Sequence, residues 1–128
     1  MKKISTEKAP AAVGPYSQAT VSGGFVFVSG MLGVDASGAF GEGIAAQTEN
    51  AIRNLAEVLN AAGSSLDRVV KTTCFLAHIA DFAAFNEVYG RYFTGKPARS
   101  LIEAAALPKG SLVEIDAIAE QGDKEGEQ

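Results

Sequence analysis

Pro97-Ala98-Arg99-Ser100 and, further along, Val113-Glu114-Ile115-Asp116 set a cation and a carboxylate in two largely apolar, strand-like segments. A charge in a strand that is buried on at least one side costs on the order of several kcal/mol unless it is paired or used. The spacing alone is equally consistent with a cross-strand ion pair between Arg99 and Glu114 and with a binding site. The two charges are therefore either partners or functional residues.

Along the rest of the chain, the hydrophobic periodicity predicts the element order β-β-α-β-α-β-β. This order favours an α+β fold in which two helices pack on one face of a sheet, as a single domain over residues 1–128. Residues 1–15 are expected to be irregular, and residues 121–128 are expected to form a flexible acidic tail. The predicted elements are a strand at 24–29, a helix at 43–62 ended by Gly63, a strand at 66–77, a helix capped by Asp81, and closing strands at 98–105 and 112–120. The apolar stripe of the second helix consists of Phe82, Phe85, Val88, Tyr89 and Tyr92. Turns are predicted at Asp35-Ala36-Ser37-Gly38 and, between the closing strands, around Pro108-Lys109-Gly110.

The alternation within the predicted strands assigns side chains to the two faces of the sheet. Val70, Thr72, Cys74 and Leu76 are expected to face the helices. Glu114, Asp116 and Ile118 are expected on the open face, with Arg99, Leu101 and Glu103 beside them in a partner strand. Such a face is too apolar for water, which predicts that other copies of the chain cover it.

Composition excludes several functional classes. The chain of 128 residues has a net charge of −4 and a pI near 4.9, which disfavours nucleic acid as a partner. No segment is apolar enough to cross a membrane, and the start of the chain lacks the apolar core of a signal peptide, so we expect a cytoplasmic protein.

Metal and nucleophile chemistry find little support in the sequence. One histidine and one cysteine cannot form a closed metal site, which leaves only a carboxylate magnesium site open. His78 is typical of a solvent-facing connector, and Cys74 of a buried thiol. The chain lacks a G-x-S-x-G elbow and a phosphate-binding GK[ST] motif.

A glycine-rich loop between Gly30 and Gly43 is long for a small domain, which is typical of a segment that borders a site. Near it in the predicted fold are Ser29 and Gly30, which the pattern alone explains as a strand end and a turn, with a place in the site as the alternative. Tyr16 follows Pro15 and is as consistent with ordinary packing as with a pocket. The residues alone therefore predict a site that binds an anion, but they do not indicate which reaction takes place there.

A series of motifs resembles the Rid family, also called YjgF or L-PSP endoribonuclease-like, in order over residues 4–119. The segments that carry the resemblance are Ala9-Pro10-Ala11-Ala12-Val13-Gly14-Pro15-Tyr16-Ser17-Gln18, Val28-Ser29-Gly30, Val70-Lys71-Thr72-Thr73, Asp81-Phe82, Asn86-Glu87-Val88-Tyr89, Pro97-Ala98-Arg99-Ser100 and Glu114-Ile115-Asp116-Ala117-Ile118-Ala119. The resemblance implies a chorismate-mutase-like fold and a homotrimer with active sites between subunits. It also implies cofactor-free hydrolysis of 2-iminopropanoate, 2-iminobutanoate and their enamines to 2-keto acids and ammonia.

The resemblance assigns separate roles to the two charges. It implies that Arg99 holds the substrate carboxylate and that Glu114 positions or activates the attacking water. It implies further that five residues line the substrate pocket: Tyr16, Ser29, Gly30, Leu101 and Asn86. Many family members have Cys in place of Leu101 and Gln in place of Met31, so substrate preference is the least constrained part of this interpretation.

Two other functions stay open at this point. A non-catalytic trimer of the same fold could act as a carboxylate-binding sensor or a chaperone-like protein. An endoribonuclease or translation inhibitor is suggested by the family label alone, because an acidic chain with one histidine offers neither a basic surface nor an obvious acid-base pair for RNA cleavage.

Overall fold

The computed structural model describes residues 1–122 and contains a mixed sheet with two helices packed on one side. The strands are β1 (Lys2–Ile4), β2 (Ala19–Ser22), β3 (Phe25–Leu32), β4 (Val69–Leu76), β5 (Ala98–Glu103) and β6 (Val113–Glu120), and the helices are α1 (Gly43–Ala61) and α2 (Phe82–Tyr92). The sheet order is β1-β2-β3-β6-β4-β5. Only the β4–β5 pair is parallel among these strands.

The core lies between the sheet and the helices and follows from the periodicity of the sequence. Val26 and Val28 of β3 are buried, whereas Phe25 and Phe27 point to the other side. The buried stripe of α1 comprises Ala51, Ile52, Leu55, Val58 and Leu59. Gly63 has a φ of 80°, which places it in the left-handed conformation just after the helix, as the sequence predicts.

The α+β class and the predicted order of elements are confirmed, with one addition at the N-terminus. β1 pairs with β2 in a region that we expected to be irregular. A strand of three residues, of which only Ile4 is buried, carries too short an alternation to be detected. The connecting turn at Asp35 forms as expected, with the Gly38 N–H donating to the Asp35 carbonyl at 2.9 Å.

The expected partnership of the two closing strands is wrong. β6 lies between β3 and β4, and β5 pairs instead with the far edge of β4. Arg99 is in register with Thr72, which faces the helices, so Arg99 also faces the helices. Glu114 lies on the open face, since the neighbours that precede and follow it, Val113 and Ile115, are buried.

The assumption of a hairpin produced this error. If β5 had paired with β6, its register against β6 would have decided which of its side chains face the helices. Because β5 pairs with β4 instead, the register against β4 decides this. Leu101 and Glu103 consequently also face the helices, opposite Cys74 and Leu76. An ion pair between Arg99 and Glu114 is not formed; within residues 1–122 the one salt bridge joins Arg53 to Glu49.

Smaller corrections concern β4 and the start of α2. The register of β4 against β6 shifts between Val69 and Lys71, so Val69 is buried and Val70 is 39% exposed, contrary to the predicted row. Asp81 precedes α2 as expected but makes no capping hydrogen bond through its side chain.

Gln121 and Gly122, the first two residues of the predicted tail, are hydrogen-bonded to the rest of the domain. The N–H groups of Gln121 and Gly122 donate to the carbonyls of Gly24 and Gly63, at 2.9 and 2.8 Å. Residues 123–128 of that tail lie outside the described residues.

The face of the sheet away from the helices is apolar, as predicted, but different residues of β5 contribute to it. Phe25 is 38% exposed, Phe27 42% and Ile102 54%. Glu114 and Asp116 are half-buried among them. No helix within residues 1–122 is long and apolar enough to span a bilayer.

Candidate active site

The residues proposed from the sequence form two groups on opposite faces of the sheet. Tyr16, Ser29, Gly30 and Glu114 line one cavity of about 530 Å³. Arg99 and Leu101 face α2, where Asn86 lies. The strands that carry Arg99 and Glu114 are separated by β4, hence by roughly 9.5 Å across the sheet. One chain therefore does not bring the two charges together.

The Glu114 carboxylate lies over the backbone of β3 because position 30 is glycine. A Cβ built on Gly30 would be 2.8 Å from the Glu114 carboxyl carbon and closer still to Oε2. The β3–β6 register also shifts between Val28 and Met31, next to this contact. The missing side chain thus makes room for the carboxylate at the wall of the cavity.

A buried glutamine immediately before β2 holds the N-terminal segment in place. The Gln18 side-chain amide donates to the Pro10 carbonyl at 2.7 Å, and its oxygen accepts from the Thr6 N–H at 2.7 Å. Ser29 Oγ donates to the Ser17 carbonyl at 2.6 Å. These bonds hold the chain across the cavity, where Tyr16 is 53% exposed at the mouth.

The cavity favours the protonated form of its carboxyl group. Burial raises the pKa of Glu114, and the nearby carboxylate of Asp116 raises it further. Within residues 1–122 no hydrogen bond to the Glu114 carboxylate is formed, so its oxygens remain available to a water or a substrate. A carboxylate with a raised pKa is a stronger base than that of an ordinary glutamate, so it is better suited to accept a proton from an attacking water.

The second group holds a guanidinium against aromatic rings. Arg99 Nη1 donates to Asn86 Oδ1 at 2.7 Å. The guanidinium carbon is 4.9 Å from the ring centroid of Tyr89, 5.8 Å from that of Phe82 and 5.9 Å from that of Phe85. No carboxylate of residues 1–122 pairs with it. Its remaining N–H groups are suited to a planar anion such as a carboxylate.

Cys74 is buried and His78 is exposed, as the sequence predicts. Cys74 is fully buried on the helix-facing side of β4, and burial raises the pKa of its thiol to about 11. His78 is exposed between β4 and α2. Within residues 1–122 no three His, Cys, Asp or Glu side chains are grouped as they would be around a metal ion.

Sequence reasoning missed two parts of these groups. Lys109 lines the Glu114 cavity with a left-handed φ of 57°, but the sequence indicated only a turn there. The rings around Arg99 were expected as the buried stripe of α2. Their helical spacing, with Asn86 one turn after Phe82, contained the signal that a polar site lies on the same helix face.

Comparison with known proteins identifies the family. A family model described as endoribonuclease L-PSP matches residues 6–121. This chain belongs to that family. The resemblance to the Rid or YjgF proteins is thereby confirmed.

Among curated relatives of this L-PSP family member, a rat protein named 2-iminobutanoate/2-iminopropanoate deaminase is 51% identical over 124 residues, which is 94% of this chain and 90% of the relative. The human protein of the same name is 48% identical, covering 93% of this chain and 89% of the relative. Among solved structures, Escherichia coli TdcF with bound serine is 36% identical with a TM-score of 0.91, covering 95% of this chain and 100% of that one.

Proposed function

We propose that this protein hydrolyses 2-iminopropanoate and 2-iminobutanoate, with their enamine forms, to 2-keto acids and ammonia. The relatives of this name match nearly the whole chain at about half identity. The observation that carries the proposal is a pair of unsatisfied, complementary groups. Arg99 presents N–H donors without a carboxylate partner in the described chain, and Glu114 lines a cavity with a raised pKa.

The active site is composed of the two groups from neighbouring copies in a chorismate-mutase-like homotrimer. The opposite-face placement of Arg99 and Glu114 supports this assembly, because a substrate that contacts both cannot do so within one chain. The exposed phenylalanines of β3 and Ile102 support it as well, since they form an apolar face that association would remove from water.

Arg99 binds the substrate carboxylate through two charge-assisted hydrogen bonds and thereby fixes the orientation of the C=N bond. Asn86 holds the guanidinium in place, and the backbone near Leu101 orients the substrate. Tyr16, Ser29 and Gly30 close the pocket around it.

Glu114 accepts a proton from the water whose oxygen adds to the imine carbon and returns it to the imine nitrogen, giving a neutral carbinolamine with a hydroxyl and an amino group. Glu114 then relays the hydroxyl proton to the amino nitrogen, the C–N bond breaks, and the carbinolamine oxygen becomes the keto oxygen as ammonia leaves. Water is the only co-reactant, so the reaction requires no cofactor.

Replacement of Arg99 tests the assignment of the reaction. The imine is generated in situ from alanine or 2-aminobutanoate by an amino acid oxidase, and its disappearance is timed. Arg99→Ala should lower kcat/KM at least ~100-fold, about 2.7 kcal/mol of transition-state stabilisation. Arg53→Ala is the matched control, because Arg53 is 67% exposed in a surface ion pair. A loss of less than threefold in Arg99→Ala would refute the assignment.

Subunit complementation tests the shared site separately from the reaction. Arg99→Ala and Glu114→Gln chains are each expected to be inactive alone. Co-refolded in equal amounts, they should recover about one quarter of wild-type activity, because one interface in four combines an intact Arg99 with an intact Glu114. Light scattering should give about three times the chain mass of 13.2 kDa. Absence of recovery in a mixed trimer would exclude a site shared between copies.

A further inference from the structure

A buried hydrogen bond joins Tyr89, the aromatic residue nearest to the Arg99 guanidinium, to Thr72 of β4. The Tyr89 hydroxyl and Thr72 Oγ1 share a hydrogen bond of 2.7 Å, and Thr72 is fully buried in β4. Tyr89 itself is 7% exposed. Because Thr72 is also the register partner of Arg99, one residue of β4 aligns both the ring and the strand that carries the cation.

The Tyr89 ring is the nearest of the three aromatic contacts of Arg99. Its centroid is 4.9 Å from the guanidinium carbon, within the range in which the negative face of a ring attracts a cation. Its other neighbours fix its tilt: Phe93 stacks on it with centroids 4.4 Å apart, and Phe85 lies at 5.4 Å. The ring therefore has little freedom to move away from the cation.

This arrangement leaves some N–H donors of the guanidinium available to a ligand. One N–H group of Nη1 is used by Asn86, and the guanidinium carbon lies over the Tyr89 ring. A guanidinium has five N–H donors in a rigid fork, so a free edge with parallel donors remains. A cation held in one orientation before the ligand arrives loses less entropy on binding than a mobile side chain.

We propose that Tyr89, anchored by Thr72, is a positioning residue that orients Arg99 for the substrate carboxylate. The inference rests on the proposed function and adds a residue to its carboxylate-binding half. Tyr89 does not touch the reacting atoms, so its contribution lies in binding of the carboxylate and appears in KM more than in kcat.

The test compares Tyr89→Leu with Val88→Ala in the full-length protein. Val88→Ala is the matched control, because it removes buried apolar volume from the same helix at a residue that makes neither a ring contact nor a hydrogen bond with Arg99 or Tyr89. Tyr89→Leu should raise KM about tenfold with kcat changed less than threefold, and Val88→Ala should leave KM within twofold. Calorimetry with pyruvate should show the same tenfold loss in Tyr89→Leu. Equal effects of the two substitutions on KM would overturn the proposal.

A second series keeps the shape of the ring and covers the case in which Tyr89→Leu does not fold. Phenylalanine and its mono-, di- and trifluoro derivatives are incorporated at position 89, so that the negative charge of the ring face falls stepwise. KM should rise with each fluorine, from a Tyr89→Phe value between wild type and Tyr89→Leu. A flat series in an active enzyme contradicts the role of Tyr89, whereas a wild-type protein without imine turnover contradicts the proposed function instead.

Discussion

Substitution of Gly30 by alanine should separate catalysis from folding at the Glu114 site. The added Cβ would be 2.8 Å from the Glu114 carboxyl carbon, whereas carbon atoms pack at about 3.5–4.0 Å. The carboxylate must therefore move by roughly 1 Å, and a displacement of that size can cost on the order of 100-fold in rate. We expect kcat of Gly30→Ala to fall about 100-fold, equivalent to about 2.7 kcal/mol.

The fold should tolerate this change, because the obstructed atoms are at the end of a flexible side chain and Gly30 does not have a left-handed φ. KM should change less than threefold, since Arg99 is untouched. The assay is steady-state imine hydrolysis with thermal unfolding measured in parallel. Gly90→Ala is the control, because a Cβ at Gly90 meets nothing within 4 Å.

A double variant shows whether the loss acts through the carboxylate. If it does, Gly30→Ala should cause no further loss in a Glu114→Gln background, because effects that pass through one group are not additive. Activity of Gly30→Ala within threefold of wild type, or an additive loss in the double variant, would refute the role given to Glu114.

Two further predictions follow from the pKa shifts. The raised pKa of Glu114 means that ionisation opposes folding as pH rises above the ordinary value of 4.5, so Glu114→Gln should melt at a higher temperature than wild type at pH 7. Calorimetric melts across pH should show the difference vanish below about pH 4.5; a wild type that is the more stable at pH 7 would contradict it. The Cys74 thiol, fully buried with a pKa of about 11, should resist a thiol reagent at pH 8 until the protein unfolds. Rapid labelling of the native protein would show that Cys74 is accessible.

The elements of the fold could be predicted from the sequence because their signals are local. The apolar stripe of α1 and the alternation in β3 each depend on a few neighbouring residues, and both appear as expected. The position of β5 depends instead on which strand it pairs with. Nothing within Ala98–Glu103 distinguishes an antiparallel partner from a parallel one, so the predicted phase of Arg99 was wrong.

The sequence proposed members for the candidate site but could not predict their arrangement. Motif resemblance supplied Arg99 and Glu114, and Gly30 came from the same motifs. The contact of Gly30 with Glu114 depends on the β3–β6 register, and the aromatic support of Arg99 depends on how α2 packs over β5. Both are long-range consequences of packing, which a pattern along the chain does not contain.

The separation of the two charges resolves the alternatives that their sequence left open. A direct ion pair would lower the pKa of Glu114 and occupy the donors of Arg99, so that neither could serve a substrate. In the fold each charge is accommodated on its own: Arg99 by aromatic faces and an amide oxygen, Glu114 by a glycine and a raised pKa. A substrate carboxylate can then meet an unneutralised cation while a water meets an unneutralised base. Placing the charges on opposite faces of one sheet keeps them apart in each chain, and in the shared site that we propose a second copy would set them on either side of the same imine.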